Sequence, residues 1–70
     1  MRKNELEAKM KLYGDTGETL CKYLHISRST LSCKMNGKYD FTLKEIRLIK
    51  KRYNLTAAEI DSIFFSLEVS

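Results

Sequence analysis

The stretch "HISRSTLSCKMNG", residues 25–37, predicts a short turn followed by a helix of about two turns over residues 28–36. Ser27 is a natural N-cap for this helix, and Gly37 is the residue type that ends one. Only Leu31 and Met35 within it are spaced as core residues. The remaining side chains are short, polar or cationic, and the stretch contains no acidic residue. A helix with so little core presents most of its surface to a partner.

The chain before this stretch predicts two helices, over residues 2–13 and 17–24. Gly14 can take the left-handed conformation that ends the first helix, and Asp15 or Thr16 can cap the second. Apolar residues recur at helical spacing in both segments and are expected to be buried: Leu6, Met10 and Tyr13 in the first helix, and Leu20, Cys21 and Leu24 in the second.

The chain after this stretch predicts two more helices, each opened by a capping box in which a threonine is followed three residues later by glutamate. The two boxes are Thr42 with Glu45 and Thr56 with Glu59. The residues expected on the buried sides are Leu43, Ile46, Ile49 and Tyr53 in the fourth helix, and Ile60, Ile63, Phe64 and Leu67 in the fifth. No segment alternates like a half-buried strand, so we expect one compact, all-α, five-helix domain over residues 1–70.

The composition excludes several classes of function. Seventy residues form one small domain that cannot enclose a large substrate cavity beside its core. No apolar run is long enough to span a membrane, and the charged N-terminus does not resemble a signal peptide. We therefore expect a cytoplasmic protein that has neither a membrane partner nor a small-molecule substrate. A disulfide between Cys21 and Cys33 is disfavoured in that compartment.

The net charge of +4 is concentrated in one part of the chain. Acidic and basic residues cancel on both flanks, whereas residues 19–39 contain four basic residues and no acid: Lys22, Arg28, Lys34 and Lys38. A localised positive field is typical of a surface that binds a polyanion. The alternative is a chance gap between acids in a short chain.

A helical wheel separates the third helix into two faces. With Leu31 and Met35 directed inward, four short polar side chains lie outward: Ser29, Ser32, Cys33 and Asn36. Arg28 lies in the first turn, where its long stem reaches past the helix end. Hydroxyls, an amide and a guanidinium suit base edges and phosphates better than an apolar protein groove. We expect Arg28 to bind a guanine, with Ser29, Ser32 and Cys33 completing the base readout.

The segment "TGETLCKYLHISRSTLSCKMNGK" resembles the helix-turn-helix of the Cro/repressor family of small phage and bacterial regulators. The markers are the small residue Cys21, "IS" at residues 26–27, "RSTLS" at residues 28–32, and "NGK" at residues 36–38. The later segment "FTLKEIRLIKKRYNLTAAEIDSIFF" resembles the fourth and fifth helices of that family. The resemblance implies a lambda-repressor-like fold with the motif at about residues 16–38. It also implies a phage- or prophage-derived transcriptional regulator that acts by occupying its operator.

The resemblance also implies roles for individual residues. Base readout maps onto Arg28, Ser29 and Cys33, and phosphate contacts map onto Thr16, Gly17, Ser27, Asn36 and Lys38. Two positions depart from the family pattern. His25 stands where glycine is usual, so it must adopt the left-handed conformation or adjust the turn. Lys34 stands where an apolar residue is frequent, with Met35 expected to take its buried role.

The proposed partner is double-stranded DNA with a palindromic site, because one short helix reads too few bases and such domains pair on two half-sites. We therefore expect a homodimer with Phe64 and Phe65 as candidate interface residues. Further candidates for DNA contact are Lys34, Tyr39 and Lys44.

Other readings of the same residues are weaker. Cys21, His25 and Cys33 lack the paired spacing of a structural zinc site. A Cys33 nucleophile with His25 would need a pocket and an orienting group. We expect no metal, no cofactor and no enzymatic activity. The main rival to DNA binding is a helical protein-interaction module, such as an antitoxin or an adaptor that binds a partner through its fifth helix.

Overall fold

The computed structural model describes residues 1–65, which form five α-helices and no strand. The helices are α1 (Lys3–Leu12), α2 (Gly17–Leu24), α3 (Arg28–Met35), α4 (Leu43–Arg52) and α5 (Ala57–Phe64). The all-α prediction is confirmed, and the predicted ends of the first three helices lie within one residue of those observed. Leu67, predicted on the buried side of the fifth helix, lies outside the described residues.

Side chains cap four of the helices at their N-termini. The hydroxyl oxygens of Thr16, Ser27, Thr42 and Thr56 each accept a hydrogen bond from the backbone N–H three residues later. Glu45 and Glu59 return the bond to the capping threonine, with Oε1 to backbone N distances of 2.8 and 3.0 Å. Both predicted capping boxes are confirmed. Each satisfies backbone groups that a helix end would otherwise leave without partners.

Four helices are ended or followed by a residue with left-handed backbone conformation: Gly14, His25, Gly37 and Asn54. Gly37 follows α3 with φ 83°, the conformation that glycine takes without steric cost. His25 ends α2 with φ 59° and ψ 42°, so the chain keeps the turn that glycine usually makes there. The backbone N–H of Ile26 then donates to the Cys21 carbonyl at 3.0 Å. The left-handed conformation costs a residue that has a Cβ roughly 1 kcal/mol. The folded chain therefore carries this cost at His25.

Replacing His25 by Gly is expected to stabilise the domain by up to about 1 kcal/mol, because glycine removes the left-handed penalty. Thermal unfolding followed by circular dichroism should show a midpoint about 4–8 °C higher per kcal/mol gained. His25→Val, which is β-branched, should lower the midpoint. Equal losses in both variants would contradict this account and would mean that the imidazole itself stabilises the turn.

The core lies where the five helices meet. Among residues 1–65 it contains twelve buried apolar residues: Leu6, Met10, Leu20, Cys21, Leu24, Leu31, Ile46, Ile49, Tyr53, Leu55, Ile60 and Ile63. The prediction of burial is wrong for Leu43 and Tyr13. Leu43 is 61% exposed because it is the first residue of α4, where the side chain tilts back past the helix end. Tyr13 is 50% exposed because it follows the last turn of α1. Its ring contacts Tyr53 edge-on at 5.3 Å between centroids.

The inward face of α3 differs from the predicted one. Lys34 is buried beside Leu31, whereas Met35 is only half-buried. The inward direction is therefore rotated by about 50° on the helical wheel. Lys34 Nζ forms a buried ion pair with Glu45 in the first turn of α4, and it lies 5.9 Å from the centroid of the Phe41 ring. Because its ammonium is buried in this ion pair, Lys34 has no free charge to offer to a ligand such as DNA, which it was expected to contact.

A second polar cluster joins the α1–α2 turn to the end of α4. The Asp15 carboxylate accepts two hydrogen bonds of 2.7 Å from the Arg52 guanidinium and one of 2.7 Å from the Tyr53 hydroxyl. The Thr19 hydroxyl donates to the same carboxylate at 2.9 Å. Arg52 also lies over the Tyr23 ring, 4.5 Å from its centroid. These bonds, those from Arg52 above all, outweigh burial and hold the pKa of Asp15 well below its usual range.

Candidate nucleic-acid interface

The helices α2 and α3 are joined by three residues and contact each other. With Leu31 and Lys34 directed into the domain, α3 exposes Arg28, Ser29 and Ser32. These three predicted base-reading residues line one open groove between α1 and α3, whose floor includes Leu31. The fourth, Cys33, is half-buried and does not line this groove.

Arg28 lies against the beginning of α2. Its guanidinium atoms would be 3.4–3.6 Å from a Cβ atom added to Gly17, so the missing side chain at Gly17 leaves room for it. Within residues 1–65, Arg28 forms no ion pair and no hydrogen bond through its side chain. The guanidinium therefore keeps its donors for a ligand.

The predicted phosphate-contact residues divide into two groups, at the beginnings of α2 and α3 and just after α3. Thr16 and Ser27 are occupied as caps, and the Ser27 hydroxyl also contacts Thr30 Oγ1 at 2.8 Å. Asn36 and Lys38 are exposed beyond the last turn of α3. Lys38 has no side-chain partner among the described residues. Its ammonium can therefore meet an anion without breaking an existing bond.

Ion pairs reduce the positive charge of residues 19–39. Lys34 is neutralised by Glu45, and Lys22 lies 3.6 Å from the Glu18 carboxylate in an exposed pair. Two of the four cations, Arg28 and Lys38, keep their charge unpaired within the described part of the chain. The field predicted from the sequence is therefore weaker over this segment than the residue count suggests.

A cation that the sequence did not indicate joins this surface. Lys3 Nζ in α1 donates to Asn36 Oδ1 at 3.0 Å, and Lys3 lines the same groove as Arg28. Charges in the first 18 residues cancel along the chain, so a count by segment hides Lys3. Only the approach of α1 to α3 brings it to the candidate interface, and no local signal in the sequence could have found it.

The candidate dimer residues, Phe64 and Phe65, line a different groove from the one that contains Arg28. Phe64 is half-buried with its ring edge-on to Phe41, 5.4 Å between centroids, whereas Phe65 is 56% exposed. Phe65 and Tyr39, which is 61% exposed, line a groove together with Phe41. Tyr39 therefore lies with these aromatic residues rather than beside Arg28. Lys44 is exposed in the first turn of α4.

The two cysteines are the residues that a disulfide or a zinc site would use, and Cys33 is also the candidate nucleophile. Both are free, and Cys21 is a core residue whose thiol donates to the Glu18 carbonyl at 3.1 Å. Among residues 1–65, no group of three or more histidine, cysteine or acidic side chains is arranged to hold a metal ion. Over the same residues, no helix has the length and apolar character needed to cross a membrane.

The surface around α3 thus combines a guanidinium with no partner among residues 1–65, short hydroxyl side chains and two further cations, Lys3 and Lys38. Comparisons of the chain with protein-family models, with curated proteins and with solved structures find no match. Function is therefore inferred from the side chains themselves, from their exposure, charge and contacts.

Proposed function

We propose that this chain is a sequence-specific double-stranded DNA-binding regulator of transcription, of Cro/repressor type. Its α2, the turn at residues 25–27 and α3 would act as the helix-turn-helix of a lambda-repressor-like domain. The observation that carries the proposal is Arg28, an exposed guanidinium without a partner in the described chain, in the first turn of α3 beside Ser29. An unpaired fork of donors at the start of such a helix suits a base edge in the major groove.

In this proposal, α3 lies in the major groove with its N-terminal turn against the bases. Arg28 donates two hydrogen bonds to O6 and N7 of a guanine. Ser29 and Ser32 are short enough to allow close approach, and either hydroxyl can donate or accept. Backbone N–H groups at the start of α2 and the Lys38 ammonium bind phosphates and fix the helix along the duplex.

The regulator would work as a homodimer on a palindromic operator, because one short helix reads too few bases by itself. The two half-sites would lie about 34 Å apart, one helical turn of DNA. The exposed aromatic side chains of Phe65 and Tyr39 support a contact between copies on the side that carries Phe41. Phe64 contributes through Phe41, against which its ring already packs. Binding blocks access to the operator, so the proposed action needs neither catalysis nor a cofactor.

Replacing Arg28 by Ala tests the proposal most directly. On the preferred duplex, found by selection from random sequences, we expect a loss of about 1–3 kcal/mol, roughly 5- to 150-fold in Kd. The preference at one base pair should relax as well, because the bidentate contact to guanine is gone. Fluorescence anisotropy with the preferred duplex and with single-base variants of it measures both effects.

Two matched variants serve as controls for this result. Arg47→Ala removes the same charge from an exposed position on α4 and should leave affinity nearly unchanged. Lys38→Gln removes a proposed phosphate contact and should weaken all duplexes alike. If Arg28→Ala also weakened all duplexes alike, Arg28 would be a phosphate contact and its assignment to base readout would be wrong.

A second candidate function is a protein-interaction module, such as an antitoxin or an adaptor, and the exposed aromatic groove at Phe65 and Tyr39 favours it. A salt titration on mixed-sequence duplex separates the two functions. A DNA-binding regulator should show a steep negative slope of log affinity against log salt concentration. Absence of duplex binding at about 50 mM salt, where electrostatic binding is strong, would favour the interaction module.

A further inference from the structure

A short chain of hydrogen bonds connects α1 to the end of α3. Lys3 Nζ donates to Asn36 Oδ1 at 3.0 Å, and Asn36 Nδ2 lies 3.4 Å from Ser32 Oγ. All three residues are exposed, and all three line the groove between α1 and α3. The Lys3–Asn36 bond joins positions 33 residues apart in the sequence, so it is a product of the tertiary fold.

The directions of these bonds determine what the groove edge offers to a ligand. The Asn36 carbonyl oxygen accepts from Lys3, and this orients the amide nitrogen toward Ser32. The Ser32 oxygen then acts as an acceptor, which leaves its own hydrogen free. An ammonium has three donors and Lys3 uses one of them here. The edge therefore presents mainly donors, an arrangement that complements an anion.

The neighbouring charges locate the anion along the groove. Arg28 lies at the α2 end of the groove, and Lys3 lies at the Asn36 end. Within the described residues 1–65, the acidic residue that lines this groove is Glu7, one turn after Lys3 on α1. Its carboxylate repels a polyanion, so the favourable position is beside Lys3 and Asn36.

We propose that Lys3 and Asn36 together bind one backbone phosphate of the DNA whose bases α3 reads. This inference rests on the proposed function and adds α1 to the interface. Lys3 supplies the charge, while Asn36 fixes its position and adds an amide N–H. Because a phosphate contact carries no base information, the pair sets affinity and register and leaves sequence preference to Arg28 and Ser29.

Lys3→Gln tests the proposal, with Lys11→Gln as the matched control on the same helix, where Lys11 is exposed and lies outside the groove. Each neutralised phosphate contributes about 0.9 to the slope of log affinity against log salt concentration. Lys3→Gln should therefore reduce that slope by about 0.9. This corresponds to about an eightfold weaker Kd at 0.1 M salt and a difference that vanishes toward 1 M.

The loss should be the same on the preferred duplex and on mixed-sequence DNA, while Lys11→Gln should match the wild type. Asn36→Ala should also weaken both duplexes, since it removes the carbonyl that holds Lys3. Both lysines are exposed, so circular dichroism should show unchanged thermal unfolding for their variants.

The possible results are distinguishable. If the wild type binds DNA and Lys3→Gln keeps the wild-type slope, the phosphate site is overturned while the proposed function stands. A change in base preference without a change in slope would also overturn it, because Lys3 would then contact a base. If the wild-type chain binds no duplex, the proposed function and this site fail together.

Discussion

Replacing Asp15 by Ala is expected to lower the free energy of unfolding by about 3 kcal/mol. The Asp15 side chain is 7% exposed and accepts hydrogen bonds from Arg52, Tyr53 and Thr19. Its removal leaves the Tyr53 hydroxyl and the Arg52 guanidinium without their acceptor, and both lie in or against the core. A domain of this size has only about 3–10 kcal/mol of stability in total, so the variant should be close to unfolding.

The measurement is urea denaturation at pH 7, with thermal unfolding as a second observable. The midpoint temperature should fall by more than about 12 °C. Asp61→Ala is the control, because it removes an exposed carboxylate that has no ion pair among the described residues. Similar losses in the two variants would mean that overall charge, and not the cluster around Asp15, determines stability.

The same cluster predicts a dependence of stability on pH. Because the pKa of Asp15 is lower in the folded chain than in the unfolded one, its contribution is complete above the unfolded-state pKa of about 3.9. That contribution is lost as the pH falls from there toward the folded-state pKa. The difference in stability between the wild type and Asp15→Ala should therefore narrow below about pH 4. A constant difference down to pH 2 would contradict the assignment.

Replacing Glu45 by Ala is expected to cost a similar amount, about 3 kcal/mol. The Lys34 and Glu45 side chains are each 10% exposed, so the substitution leaves a buried ammonium without its carboxylate. It also removes the bond from Glu45 to the backbone N–H of Thr42 that caps α4. Burial raises the pKa of Glu45, but the bonds from Lys34 and from the Thr42 backbone outweigh burial, and the net pKa lies below its usual range.

A double variant separates the ion pair from the cap. Lys34→Met with Glu45→Gln removes both buried charges, while glutamine keeps the capping box of α4. Replacing a buried ion pair by groups of similar volume is frequently neutral or stabilising. We therefore expect the double variant to lie within about 1 kcal/mol of the wild type in urea denaturation. A double variant as unstable as Glu45→Ala would show that the charges themselves stabilise the fold.

The ion pair also connects stability to the proposed function. Lys34 belongs to the helix that carries Arg28, and Glu45 belongs to the first turn of α4. The bond therefore fixes how α3 is rotated about its axis, which determines which side chains would face DNA in the proposed function. It explains why Lys34, a cation in the middle of the proposed recognition helix, is unavailable to phosphates.

The candidate site shows how far the sequence could lead. The exposure of Ser29 and Ser32 follows from their spacing relative to Leu31, and that of Arg28 from its place in the first turn of α3. The structure agrees with both predictions. The wheel failed at Lys34 because it assumed that the apolar Met35 would be the inward residue. A lysine can be buried when a carboxylate from another helix meets it, and the sequence of α3 alone contains no sign of that carboxylate.

The sequence by itself determined the five helices and the two predicted capping boxes, because these depend on bonds between residues three or four positions apart. The tertiary structure alone decided which charges remain available to a ligand. Lys34 with Glu45, Lys3 with Asn36, and Asp15 with Arg52 are separated by 11, 33 and 37 residues. Such pairs form only when helices meet. The physical reason is that a charge is neutralised by its nearest neighbour in space, which periodicity along one helix does not specify.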